Sequence, residues 1–179
     1  MEGNFPWENK LKFTIEGDAE TDAMLAFRVP SYAKNFCIKK NGQEVKINVD
    51  HGYAKVEGMV YQDTFEISFD APPVFVHANP QVRVDCAKTA LVKGPLVYCL
   101  EETDNGDDLA AVLVDTNQTP QEIYEEELLD GCSVIHLDGK KISTQGWDAD
   151  CLYQEKPVTL DNVKLTLVPY CYWGNRKNG

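Results

Sequence analysis

A chain of 179 residues with 43% apolar and 26% charged residues can bury one large core or two small ones, and its composition is not that of disorder. Its net charge of −12 repels nucleic-acid backbones and anionic bilayers, and its basic residues are scattered, with short pairs such as Lys39-Lys40 and Lys140-Lys141 at hairpin ends. The opening MEGNFPWENK has no basic-then-apolar leader and no run approaches the roughly 20 apolar residues that span a bilayer, so a cytoplasmic protein without nucleic-acid or membrane partners is expected.

Short β-prone runs broken by turn residues dominate the first half, the pattern of an antiparallel sandwich. Lys10 to Glu16 alternates polar and apolar, setting Leu11, Phe13 and Ile15 on one face of a half-buried strand. Met24 to Val29 is a second strand, stopped by Pro30, which has no amide hydrogen for a ladder. Phe36 to Lys39 runs into Asn41-Gly42, whose tolerance of positive φ suits a tight hairpin, and Glu44 to Val49 returns. Gly52 to Val56 and Thr64 to Phe69 complete this half, assigned to residues 1–76.

At Pro72-Pro73 the pattern breaks, and Val74 to Pro80 reads as an extended connector into a second sandwich over 77–179. Strands are predicted at Gln81 to Asp85 and at Ala90 to Glu101, the latter bent at Gly94-Pro95. An acidic loop at Thr103 to Asp108 precedes a strand at Leu109 to Val114. Thr119-Pro120, with Glu122 in the first turn, resembles a helix start and predicts the one short helix. Asp138-Gly139 predicts a hairpin between Cys132–Leu137 and Lys140–Ser143, followed by strands at Val158–Leu160 and Val163–Tyr172. The fold class is therefore all-β: two antiparallel, jelly-roll-like β-sandwich units with at most one short helix.

The six cysteines are widely spaced, and Cys37, Cys99 and Cys171 lie in apolar strand-like runs, so reduced core thiols are expected. Cys132 with His136 is the nearest approach to a metal pair. On a strand, four residues separate their side chains by about 13 Å, too far for one zinc with ligands near about 2 Å. His51, His77 and His136 lie far apart, and no sequence spacing marks a Cys–His catalytic pair. Paired carboxylates of the kind glycosidases use occur at Glu101-Glu102, Asp107-Asp108, Glu125 to Glu127 and Asp148 with Asp150, yet 29 acidic residues make such coincidences expected. Trp7, Trp147, Tyr170, Tyr172 and Trp173 could stack on sugar rings where they face solvent; on a strand, Tyr170 and Tyr172 would share one face and Cys171 the other.

Three segments resemble the region after the catalytic barrel in bacterial β-L-arabinofuranosidases of glycoside hydrolase family 127, first known as a domain of unknown function. They are Phe5-Pro6-Trp7 leading to LAFRVPSYAKN and the KKNGQEV hairpin, then ALVKGPLVYCLEETDN, and finally LTLVPYCYWGNR. The resemblance implies an (α/α)6 barrel upstream that hydrolyses β-L-arabinofuranosides with retention, using a cysteine nucleophile at a zinc site. That site needs an adjacent Cys-Cys pair, which this chain lacks, so no catalytic residue, metal ligand or cofactor is carried over to it. The family continues with another strand after the asparagine-arginine pair, so a sheet short of an edge partner is expected where this chain stops at Gly179.

The resulting expectation is a non-catalytic accessory region whose partners are the barrel of the same polypeptide, a second copy, or carbohydrate. Trp7, Tyr170, Tyr172, Trp173, Asn175 and Arg176 are the candidates for interdomain or sugar contact. The rival reading is a carbohydrate-binding module for a plant or host glycan.

Overall fold

The computed structural model describes residues 1–17, 24–148 and 150–176, and the chain forms two compact units, Met1–Pro72 and Pro73–Gly179. It is all-β, as its patterning predicts, with antiparallel pairing throughout the described residues. No described helix is long and apolar enough to cross a membrane.

The first unit contains β1 (Glu2–Gly3), β2 (Lys10–Thr14), β3 (Leu25–Arg28), β4 (Lys34–Lys40), β5 (Gln43–Glu44), β6 (Val49–Asp50), β7 (Tyr53–Val56) and β8 (Thr64–Asp70). They form a sheet in the order β1-β2-β8-β4-β5 and a smaller one in the order β3-β7-β6. Alternation along β2 and β8 puts one face of each strand inward, where Phe13 and Phe65 both meet Phe27 of the other sheet at 5.6 Å between ring centroids. Phe65, Ile38 and Ala54 are fully buried between the sheets. Asn41 and Gly42 take positive φ in a two-residue turn between the paired Lys40 and Gln43. The returning strand is shorter than expected: only Gln43–Glu44 pairs back, while Val49–Asp50 joins β7 in the other sheet.

The second unit contains β9 (Val74–His77), β10 (Thr89–Lys93), β11 (Leu96–Leu100), α1 (Glu102–Asn105), β12 (Val112–Val114), β13 (Gln121–Glu125), β14 (Cys132–Ile142) and β15 (Leu160–Pro169). Its strands make one seven-stranded sheet, ordered β12-β14-β15-β11-β10-β9 with β13 also on β14, curled into a half-barrel. Leu91, Tyr98, Ile135, Leu137, Leu165 and Leu167 fill the inside of the curl. On the other face Cys132, Val134 and Val168 are buried beneath Leu128, Leu129 and Tyr172.

Several local expectations are corrected. Val74–His77 is no connector: it pairs with β10, and the units divide at Pro72/Pro73 where the sequence reading divides them after residue 76. Thr119-Pro120 starts no helix; Gln121–Glu125 pairs residue for residue with β14, and that ladder overrides the local capping signal. The short α-helix is Glu102–Asn105 instead, running into the stretch from Thr103 read as an acidic loop. Asp138-Gly139 is no turn, because β14 runs straight through it. A Cβ on Gly139 would stand 2.6 Å from Leu165 Cδ1 and 3.3 Å from the Leu113 carbonyl oxygen, so this glycine serves close packing. Gln81–Asp85 contains an exposed 3-10 turn at Arg83–Asp85, and Leu109–Ala111 is another. The bend at Gly94-Pro95 is a hairpin turn between the paired Lys93 and Leu96. The final pair of predicted strands is the single strand β15, after which Tyr170–Tyr172 form a 3-10 turn. The expectation of a sheet short of an edge partner falls at the end of the chain, where residues 177–179 lie outside the described residues.

Candidate functional site

Five of the six sequence candidates, Tyr170, Tyr172, Trp173, Asn175 and Arg176, lie in the arm that follows β15. Pro169 is buried opposite Tyr98, and a 3-10 turn carries the chain off the sheet immediately after it. This turn breaks the strand parity expected for Tyr170 and Tyr172. Tyr170 is exposed, whereas Tyr172 packs on the cluster of Cys132, Val134 and Val168. A turn also brings residues three apart together, so Tyr170 and Trp173 stack with 5.8 Å between centroids and 11° between planes. Both rings stay open to solvent, at 57% and 59% exposure.

Beyond the aromatic pair the arm is fastened to the end of β11. Gly174 N–H donates to Glu101 Oε1 at 2.8 Å, and Arg176 Nε donates to Glu101 Oε2 at 2.8 Å. Arg176 Nη1 reaches Asp104 Oδ1 at 2.8 Å, and Nη2 bridges Glu101 and Asp104. Asp104, and Glu101 with it, hold the guanidinium above its ordinary basicity against the opposing effect of burial. Glu101 is 2% exposed, so an unpaired carboxylate there would be costly. Asn175 is exposed, its N–H donating to the Tyr172 carbonyl at 3.1 Å. Trp7 lies half-buried in the first unit, its N–H donating to the Asn4 carbonyl at 2.9 Å.

Sequence reasoning names Glu101 only among the paired carboxylates and does not single out Asp104 or Asn105. Asn105, the last residue of α1, takes the place of a strand residue beside Thr166: its Oδ1 accepts the Thr166 N–H and its Nδ2 donates to the Thr166 carbonyl, both at 2.9 Å. The same Nδ2 donates to the Glu101 carbonyl at 2.9 Å. Thr166 Oγ1 in turn lies 3.2 Å from His136 Nδ1, and His136 Nε2 lies 3.1 Å from Glu125 Oε1. The available signal was an acidic ending with a single amide, EETDN, after a strongly apolar run.

Chemically this is a fastening. Both oxygens of Glu101 are taken by Gly174 and Arg176, and Asp104 shares the same guanidinium. The thiols of Cys99 and Cys132 are pushed up to about 11, chiefly by burial. Among the described residues, no three His, Cys, Asp or Glu side chains gather closely enough to hold a metal ion. The zinc site implied by the resemblance is not matched by these residues, and no step through it follows from this chain.

Residues 1–72 match the β-L-arabinofuranosidase GH127 middle domain, and residues 73–179 match the glycoside hydrolase family 127 C-terminal domain. The chain belongs to glycoside hydrolase family 127. Within that family it is 30% identical over 186 residues to a non-reducing end β-L-arabinofuranosidase of Bifidobacterium longum subsp. longum, an alignment covering 98% of this chain and 28% of that enzyme. The crystal structure of a GH127 β-L-arabinofuranosidase from Geobacillus stearothermophilus T6 superposes with a TM-score of 0.88 at 31% identity, covering 99% of this chain and 28% of that one. A further GH127 β-arabinofuranosidase structure gives a TM-score of 0.79 at 30% identity, over 98% of this chain and 29% of its own. The family-127 chain described here thus spans less than a third of these relatives.

Proposed function

We propose that this chain is the non-catalytic accessory region of a β-L-arabinofuranosidase-like glycoside hydrolase, steadying the catalytic part of the same polypeptide or its dimer. One observation carries the reading: the whole chain matches the middle and C-terminal domains of relatives that are more than three times its length. The cysteine and zinc chemistry implied by the family resemblance would then belong to the preceding catalytic part. The test compares β-L-arabinofuranoside hydrolysis by the full-length polypeptide and by these 179 residues alone. Activity in the former and none in the latter is expected; turnover by the shorter chain overturns the assignment.

A second reading, carbohydrate binding, is favoured by the stacked and solvent-open Tyr170 and Trp173. A rigid aromatic platform suits the apolar face of a sugar ring, and the Arg176 fastening holds it in place. Calorimetric titration with arabinose-containing oligosaccharides decides it. Saturable binding abolished by Trp173→Ala supports a module, and silence across the set leaves a scaffold.

A further inference from the structure

We propose that the outward face of β9, β10 and β11 is the surface on which the catalytic part of the same polypeptide docks, an inference that rests on the accessory-region reading. The register sets Val74 opposite Val92 and Val76 opposite Ala90, with Val97 on the far side of Val92. The alternate residues Phe75, Leu91 and Tyr98 fill the inside of the curl, so these five side chains share the other face. Val74, Val76 and Val97 are 38%, 47% and 48% exposed, and Ala90 is exposed as well. In a chain where 26% of residues are charged, five neighbouring sheet positions carry neither charge nor a hydrogen-bonding side chain.

The same face is covered farther along the sheet, where Leu128, Leu129 and Tyr172 lie over Val134 and Val168. Cover therefore stops partway, and β9 is an edge strand paired only with β10. A bare valine-lined edge invites aggregation, so native proteins cover it or charge it. The five positions of this one bear no charge, and charged groups enter only at its rim, where Lys88 pairs with Asp85. Near β9 it opens into a depression of about 390 Å³ whose apolar wall is Val76, Ala78 and Ala90 and whose polar rim is Asp85, Lys88, His77 and Thr89, room for a side chain from an apposed surface.

The occupant follows from what the chain lacks relative to its family. Its segments are the middle and C-terminal domains and cover 28% of the B. longum enzyme, so the remaining length of such an enzyme precedes them. A tethered neighbour works at an effective concentration of about millimolar, which makes even a modest apolar face sufficient. A second copy would bring together two chains each carrying −12.

Thiol labelling of the full-length polypeptide tests this, using Val76→Cys and Val97→Cys, with Val84→Cys, at a site 75% exposed, as the reference. Valine and cysteine are close in volume, and peptide mass analysis separates the new thiols from the six native ones of these 179 residues and from those of the rest of the polypeptide. Docking predicts labelling at 76 and 97 about tenfold or more slower than at 84, as for a face open a tenth of the time, and unchanged on dilution. Equal rates overturn the proposal, and so does protection that disappears on dilution, which would assign the face to a second copy. Hydrolysis by the unsubstituted polypeptide separates the two failures: active enzyme with unprotected thiols sinks the docking surface alone, and inactivity sinks the accessory reading beneath it.

Discussion

Arg176 closes on Glu101 across 75 residues of sequence, with Nε to Oε2 at 2.8 Å, and so ties the arm after the last strand to the end of β11. The side chains are 14% and 1% exposed, so removing one partner strands a buried charge. Arg176→Gln should destabilise the second unit by about 3 kcal/mol, and replacing both residues by leucine should cost less than either single change. Urea unfolding, followed by the fluorescence of Trp147 and Trp173, checks this. A single Arg176 variant as stable as the parent would show that the fastening is dispensable.

Asn105 carries a separate prediction because its amide stands in for a strand residue at Thr166. Asn105→Ala leaves the Thr166 N–H and carbonyl without that partner and should cost about 1–3 kcal/mol. Asn105→Asp keeps the acceptor for the Thr166 N–H but gives up the donor to two carbonyls, so an intermediate loss is expected. Hydrogen exchange at the Thr166 amide should quicken strongly in Asn105→Ala and only partly in Asn105→Asp. Unchanged exchange in both would refute the ladder substitution.

The strands of the first unit were legible because one buried face imposes alternation, as in Leu11, Phe13 and Ile15, and because Asn41-Gly42 is a turn by its own backbone preference. Asp138-Gly139 carries a similar local signal yet sits mid-strand, because Gly139 is there to admit Leu165. Local chemistry and long-range packing call for the same residue, and only the fold tells them apart. Gln121–Glu125 was misread for a related reason: its strand state depends on β14, which follows it in sequence. Tyr170, Trp173 and Arg176 are candidates in the sequence, but the stacking of the two rings and the pairing of Arg176 with Glu101 and Asp104 follow only from the 3-10 turn that stands where a strand is expected. The valine face of β9 was hidden because Val74–His77 has no alternation strong enough to separate a strand from a linker.

Asp63 gives the first unit a pH dependence. Its carboxylate is held down at about 2 by Lys40 first, then by Asn41 Nδ2 and the Val60 N–H, all at 2.8 Å. An unfolded aspartate titrates near about 3.9. Because the folded value is the lower, the stabilisation is complete above the unfolded value and is lost as pH falls toward 2. Thermal unfolding of the first unit should therefore fall in temperature between about pH 4 and pH 2, and less steeply in Asp63→Asn. Some slope should remain in the variant, since Asp50 is also lowered, by Lys55 and then His51. An identical slope in both proteins would remove Asp63 from the account.

Five of the six cysteines should divide into two kinetic classes. Cys86, Cys151 and Cys171 are exposed, whereas Cys132 is buried and Cys99 half-buried. Burial, chiefly, pushes the thiols of Cys99 and Cys132 up to about 11, so at pH 8 only about one in a thousand is thiolate, the form that reacts. Alkylation at that pH should modify the three exposed residues promptly and reach Cys99 and Cys132 only after denaturant is added, as mass analysis of peptides would show. Cys132 lies beneath Leu128, Leu129 and Tyr172, so its labelling also reports whether that cover opens. Arg176→Gln loosens the arm that carries Tyr172, and it should speed native-state labelling of Cys132 without changing that of Cys86. Prompt labelling of Cys132 in the unsubstituted chain would mean that the outer cluster is not closed in solution.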